Sequence, residues 1–135
     1  MSPEEVKNGE LKNLKILVVD DDLLVVRMLL DFLGREGHEC ESAANGKLGF
    51  QKVLEGHFDL IVMDIQMPEM NGIDCIGAIR QIDPQVPILA ISGDAPPPAL
   101  KVLLKEKENG FLKKPFTPEE LTEAMQGLFL QAGEE

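Results

Sequence analysis

Short apolar runs alternate along the chain with stretches whose apolar residues recur every three or four positions, and that alternation predicts the elements. Lys15-Ile-Leu-Val-Val runs directly into Asp20. The spacing then turns helical, with Leu23, Val26, Leu29, Leu30 and Leu33 on one face up to Gly37. Residues 38–43 predict a weaker strand, and residues 46–56 a helix with Leu48, Val53 and Leu54 as its apolar contacts. Residues 58–64 form a third apolar run. After the loop that contains Pro68, Asn71 and Gly72, a helix from Ile73 carries Ile76 and Ile79 and stops before Pro84. Residues 86–92 predict the fourth strand. The segment 93–98 must be irregular, because three successive prolines cannot lie inside a helix, although Pro98 can serve as its first residue. Residues 99–108 read as a short helix and 110–114 as a brief strand. Thr117-Pro-Glu-Glu120 is a capping box that opens a last helix with Leu121, Met125, Leu128 and Phe129 on one side.

Five strands, each followed by a helix, imply a parallel sheet with helices on both faces and right-handed crossovers. The first, third and fourth runs are almost continuously apolar, as strands buried on both faces must be. Residues 1–13 are polar, with Pro3 and Gly9, and read as a flexible lead; 14–131 form the domain and 132–135 a tail. A chain of 135 residues has room for one such domain, burying roughly two thirds of its unfolded surface.

Parallel strands all end at one rim, and in open α/β sheets ligands bind outside those carboxyl ends. The residue that follows each run can therefore be collected into one place. The first strand supplies Asp20 and Asp21, the third Asp64, the fourth Ser92 and the fifth Lys114. Three carboxylates in contact repel one another unless a cation neutralises them. Mg²⁺ takes one or two carboxylates and leaves its other positions to water and phosphate oxygens. Together with an ammonium and a hydroxyl, such a cluster describes a place to hold a phosphoryl group. Each residue also has a plainer use. Asp20-Asp21-Asp22 taken alone reads as readily as a helix N-cap, Asp64 as a turn residue, Ser92 as a strand-end hydrogen bonder and Lys114 as a surface cation. Their joint placement after four different strands carries the functional reading.

A formal charge of −11 argues against direct nucleic-acid binding, which draws its affinity from Lys and Arg on phosphates. No apolar run approaches the ~20 residues of a membrane span, and the N-terminus has no signal-peptide character, so a cytoplasmic location is expected. Cys40 and Cys75, without a CxxC or His pattern beside them, read as buried free thiols of a reducing compartment.

The motifs Leu17-Val-Val-Asp-Asp21, Met63-Asp-Ile-Gln-Met-Pro68 with Asn71-Gly72, Ile91-Ser-Gly93 and Lys114-Pro115-Phe116 together resemble those of the response-regulator receiver domain of two-component signalling, over about residues 14–130. The likeness is to its chemotaxis-regulator type. The resemblance implies an α/β flavodoxin-like (βα)5 three-layer sandwich whose five-stranded parallel sheet has the order 2-1-3-4-5. It implies that Asp64 is the phosphoacceptor, fed by a sensor histidine kinase or a phosphotransfer protein. Asp21, Asp64 and the backbone carbonyl of Gln66 would bind Mg²⁺ directly, with Asp20 mainly through water. Ser92 and Lys114 would contact the phosphoryl oxygens, Ser92 and Phe111 would form the switch, and the Lys114–Pro115 bond would be cis.

A domain of this kind is a phosphorylation-operated switch rather than a turnover enzyme, catalysing only its own phosphotransfer and autodephosphorylation. It would be read by a downstream protein or output domain, as a monomer or a phosphorylation-linked dimer, without binding nucleic acid or membrane. The same module could be part of a longer response regulator or hybrid histidine kinase. Two other classes stand beside this reading: a Mg²⁺-dependent aspartyl-phosphate phosphohydrolase, which would need a cap or substrate loop, and a phosphorylation-independent scaffold, which would not need the intact acids, Ser92 and Lys114. The chain departs from the family at Lys107-Glu108, where many members carry Gly-Ala, at the three prolines before helix 4, and at Phe111, where tyrosine is frequent.

Overall fold

The computed structural model describes residues 6–7, 10–11, 13–67, 71–105 and 109–133. Its main sheet has five strands: β1 (Lys15–Val19), β2 (Glu39–Ala43), β3 (Leu60–Asp64), β4 (Ile88–Ser92) and β5 (Asn109–Lys113). All are paired in parallel, in the order β2-β1-β3-β4-β5. The connections are α1 (Leu23–Arg35), α2 (Gly46–Glu55), α3 (Gly72–Ile82) and α4 (Pro98–Leu103), and α5 (Pro118–Gly133) follows the last strand. This is the flavodoxin-like arrangement expected from the sequence.

Successive residues of a strand point to opposite faces, and each face has its own core. Leu17, Val19, Ile61, Met63, Ile88 and Ala90 pack with Ile76 and Ile79 of α3 and Leu100 of α4. Ile16, Val18, Leu60, Val62, Leu89 and Ile91 pack with Val26, Leu29 and Leu33 of α1 and Leu121, Met125, Leu128 and Phe129 of α5. The three central strands β1, β3 and β4 are almost continuously apolar because both of their sides are covered, whereas the edge strands β2 and β5 carry polar, partly exposed residues. The capping box at the start of α5 forms as expected: the Thr117 N–H donates to Glu120 Oε1 at 2.9 Å and the Glu120 N–H to Thr117 Oγ1 at 3.1 Å.

Several expectations need correction. In α1 the buried stripe is Val26, Leu29 and Leu33, while Leu23 is 76% exposed, because the first turn overhangs the rim. In α2 neither Leu48 nor Leu54 is buried; the helix turns Gly46 and Gly49 inward, with Phe50 and Val53 packed beside them. A Cβ at position 49 would lie 2.8 Å from Val19 Cγ2, so glycine lets this helix seat directly on β1. Helix α3 starts at Gly72, one residue before Ile73. Helix α4 ends at Leu103 instead of running on to 108, of which residues 106–108 lie outside the described residues. The lead carries a small antiparallel hairpin, Val6–Lys7 with Glu10–Leu11, and Leu11 packs against the α1/α5 core. Helix α5 continues to Gly133, past the expected boundary at 131. Both cysteines are free; the Cys75 thiol is buried and donates to the Gly46 carbonyl at 3.3 Å, while Cys40 is half-buried.

Candidate functional site

The carboxyl ends of the strands bring the anticipated residues together. Asp20 follows β1 and stays in the ladder through its N–H, which donates to the Ala43 carbonyl at 3.1 Å. Its side chain is completely buried. The acidic run then divides its labour. Asp20 Oδ1 accepts the Asp22 N–H at 2.9 Å, Asp22 Oδ1 caps α1 by accepting the Leu24 N–H at 3.0 Å, and Asp21 is left exposed at the rim. The N-cap reading of the run thus holds for Asp22, and Asp20 and Asp21 are left facing the rim cluster.

Asp64 ends β3 with only 3% of its surface exposed, and its Oδ1 accepts the Gln66 N–H at 2.9 Å. The returning chain passes against it at Gly72. A Cβ there would overlap the Asp64 carbonyl and lie 2.5 Å from Ile65 Cα, so only glycine permits the close approach. Ser92 ends β4 and is buried. Lys114 follows β5, held by a 2.7 Å hydrogen bond from its N–H to the Ser92 carbonyl, and the Lys114–Pro115 bond is cis. Its Nζ lies 3.2 Å from Asp20 Oδ2 and 3.7 Å from Asp64 Oδ2.

One carboxylate oxygen from each of Asp20, Asp21 and Asp64 lies within 4.8 Å of the others. Among the described residues Lys114 supplies the positive charge, so the cluster keeps an excess of negative charge. Burial pushes the Asp64 carboxyl up to about 6 against the pull of the Gln66 N–H; the Asp20 charge adds to the rise and Lys114 opposes it. An all-oxygen donor set with excess negative charge suits a hard divalent cation, and the residues present therefore fit Mg²⁺.

Two contacts were not anticipated. The Gln66 side chain reaches across the mouth of the site to residues 27 and 28 positions away: its Oε1 accepts the Gly93 N–H at 3.0 Å and its Nε2 donates to Asp94 Oδ2 at 2.6 Å. No spacing rule finds such a contact, because it joins two irregular loops. Phe111, on β5 beside Ala90 of β4, is half-buried against the α3/α4 side of the core.

These features are those of a known class. The family model for the response regulator receiver domain matches residues 16–126, and the chain belongs to that family. It is 37% identical over 112 residues to the chemotaxis protein CheY of Thermotoga maritima, covering 82% of this chain and 93% of that one. It is 36% identical over 102 residues to the autoinducer 1 sensor kinase/phosphatase LuxN of Vibrio harveyi, covering 76% of this chain and 12% of that protein. The crystallised chemotaxis protein CheY4 of Vibrio cholerae superposes with a TM-score of 0.79 at 31% identity, covering 86% of this chain and 98% of that one. No helix among the described residues is long and apolar enough to cross a membrane.

Proposed function

We propose that this receiver domain takes a phosphoryl group onto Asp64 from the phosphohistidine of a sensor kinase or phosphotransfer protein, in the cytoplasm, and that the acyl phosphate changes how a downstream protein or output domain binds. The observation that carries this reading is the position of the Asp64 carboxylate, buried between an acidic cluster that fits a divalent cation and the ammonium of Lys114. Mg²⁺, held by Asp21, Asp64 and the Gln66 carbonyl with Asp20 reached through water, would supply positive charge for the phosphoryl oxygens.

The chain's own residues do the rest. A carboxylate oxygen of Asp64 forms the new bond to phosphorus while the nitrogen–phosphorus bond to the donor histidine breaks, and the imidazole leaves with the electron pair. Lys114 and the Ser92 hydroxyl donate to phosphoryl oxygens as charge shifts onto them. Water attacking the acyl phosphate later returns Asp64 and releases phosphate, so the domain catalyses only the turnover of its own phosphoryl group. Burial raises the Asp64 carboxyl to about 6, so its carboxylate is poorly solvated, which favours its attack on phosphorus. Phe111 and Ser92 form the switch pair, the phenyl ring already leaning on the core. The same site serves a free-standing regulator or a module of a longer one, as the coverage of CheY and of LuxN illustrates.

The test is direct. Incubation with acetyl phosphate and Mg²⁺ should add a single phosphoryl mass, and Asp64→Asn should lose it. Retention of that mass by the variant would overturn the assignment.

A further inference from the structure

Resting on the reading of Asp64 and Ser92 above, we propose that the Gln66 side chain and Asp94 form a latch that holds the Ser92–Asp94 turn in its resting position, and that the latch opens when Asp64 is phosphorylated. Gln66 is a positioning residue with two attachments. Its backbone N–H is on Asp64 Oδ1 at 2.9 Å, while its side-chain amide is satisfied at both ends by the opposite turn, accepting from the Gly93 N–H at 3.0 Å and donating to Asp94 Oδ2 at 2.6 Å. The turn is closed on itself as well, because the Asp94 N–H donates to Ser92 Oγ at 3.1 Å. The Ser92 hydroxyl is thus tied into a turn whose position the latch sets.

The segment on the far side of the turn offers little resistance to movement. Pro97 caps α4 without a side-chain hydrogen bond, and Gly93, Asp94 and Ala95 are exposed; the Lys114 N–H holds the Ser92 carbonyl at the strand end, while the described hydrogen bonds that reach Gly93 and Asp94 from outside the turn come from Gln66. The latch ends in a carboxylate. A phosphoryl group adds further negative charge to Asp64, close to Gln66, whose other end is fastened to that carboxylate. Like-charge repulsion then disfavours the closed latch in the phosphorylated state only. Opening frees the turn and lets Ser92 follow the phosphoryl oxygens. A short charge-assisted hydrogen bond that must break makes the resting state more fully resting, at the expense of a slower approach to the active one.

The experiment follows the Gly93 amide by hydrogen exchange in the full chain, beside phosphorylation by acetyl phosphate with Mg²⁺. In the wild type Gly93 should be protected and should lose protection on phosphorylation. In Asp94→Ala, and more so in Gln66→Ala, it should exchange about tenfold faster before any phosphorylation, the factor that one hydrogen bond of ordinary net strength supplies. Asp94→Ala should be phosphorylated several-fold faster, Asp94→Asn, which keeps the acceptor, should return to near the wild-type rate, and the acceleration should vanish in a Ser92→Ala background. Unchanged Gly93 exchange in both alanine variants would overturn the latch while leaving the phosphoacceptor reading intact. So would an Asp94→Ala acceleration that persists without the Ser92 hydroxyl. Absence of any phosphoryl mass on the wild type would overturn the underlying reading, and the latch with it.

Discussion

The ammonium of Lys114 sits 3.2 Å from Oδ2 of Asp20, a carboxylate with none of its side chain exposed. A buried ion pair is a weak source of net stability, yet removing one partner is harmful because the other is left uncompensated. Lys114→Met keeps the apolar stem and deletes the charge, leaving Asp20 and Asp64 facing each other. The expected loss is about 2 kcal/mol, below the ~3–5 typical of fully buried pairs, since the Lys114 side chain is 23% exposed and part of its charge is already screened by water. Mg²⁺ should restore part of the lost melting temperature in the variant and raise that of the wild type as well. Asp21→Asn should stabilise the metal-free protein and weaken the effect of Mg²⁺. Urea and thermal melts with and without the cation decide it; melts indifferent to Mg²⁺ would count against the site.

The raised titration of Asp64 gives a pH dependence with a definite sign. A carboxyl that holds its proton more tightly folded than unfolded favours the fold when protonated. Its contribution is fully present below about 4, the unfolded value, and is lost as the pH rises through about 6. Asp64→Asn removes that titration. The variant should therefore gain on the wild type across this window and keep a constant advantage above it. The proton and the cation compete for the same oxygens, so apparent Mg²⁺ affinity should fall by up to about tenfold per pH unit below 6. Urea midpoints of the two proteins from acid to neutral pH, with Mg²⁺ titrations beside them, provide the check; a constant difference over the whole range would contradict the burial of this carboxyl.

Two glycines make opposite predictions. Gly72→Ala drives a methyl group into the backbone of residues 64 and 65, so a loss of about 2–4 kcal/mol is expected, with slower phosphorylation because Asp64 itself must shift. Gly127 lies within α5 with nothing inside 4 Å of an added Cβ. Gly127→Ala should accordingly stabilise by about 0.5–1 kcal/mol through helix propensity, without changing phosphorylation. Denaturant melts and phosphorylation rates of both variants would show whether the glycine after Asn71 serves the site or only the helix start.

What could be read in the sequence followed from strict physical periodicity. Strands buried on both faces must be unbroken apolar runs, so β1, β3 and β4 were legible, and the parallel register then put Asp20, Asp64, Ser92 and Lys114 at one rim. The helices were legible in position but less so in rotation. Gly49 carries no apolar signal, yet its missing side chain is what draws α2 onto Val19 and turns Leu48 and Leu54 outward. The reach of the Gln66 side chain to Asp94 was not legible at all, because two loops meet there without any repeat to reveal it. The hairpin before β1 escaped for a related reason, its strands being two residues long.

Asn109 is a buried polar residue at the start of the edge strand β5, and the structure shows why it is there. It is 7% exposed, its Oδ1 accepts from Arg80 Nη2 at 2.6 Å, and its Nδ2 donates to the Leu103 carbonyl at 2.7 Å. Arg80 Nη1 in turn donates to the Asp83 carbonyl at 3.1 Å. One amide thus joins the C-terminal ends of α3 and α4 to the first residue of β5. Removing the amide takes the donor from the half-buried Leu103 carbonyl and one acceptor from Arg80 at a buried position, so Asn109→Ala should lose about 1–2 kcal/mol. Asn109→Asp keeps the acceptor for Arg80 and gives up only the donor to Leu103, and should lose less. Because the strands are parallel, this network lies at the end of the sheet opposite Asp64. Phosphorylation of either variant by acetyl phosphate should therefore run at the wild-type rate while its urea midpoint falls, and a rate that fell in step with stability would mean that the two ends of the sheet are coupled.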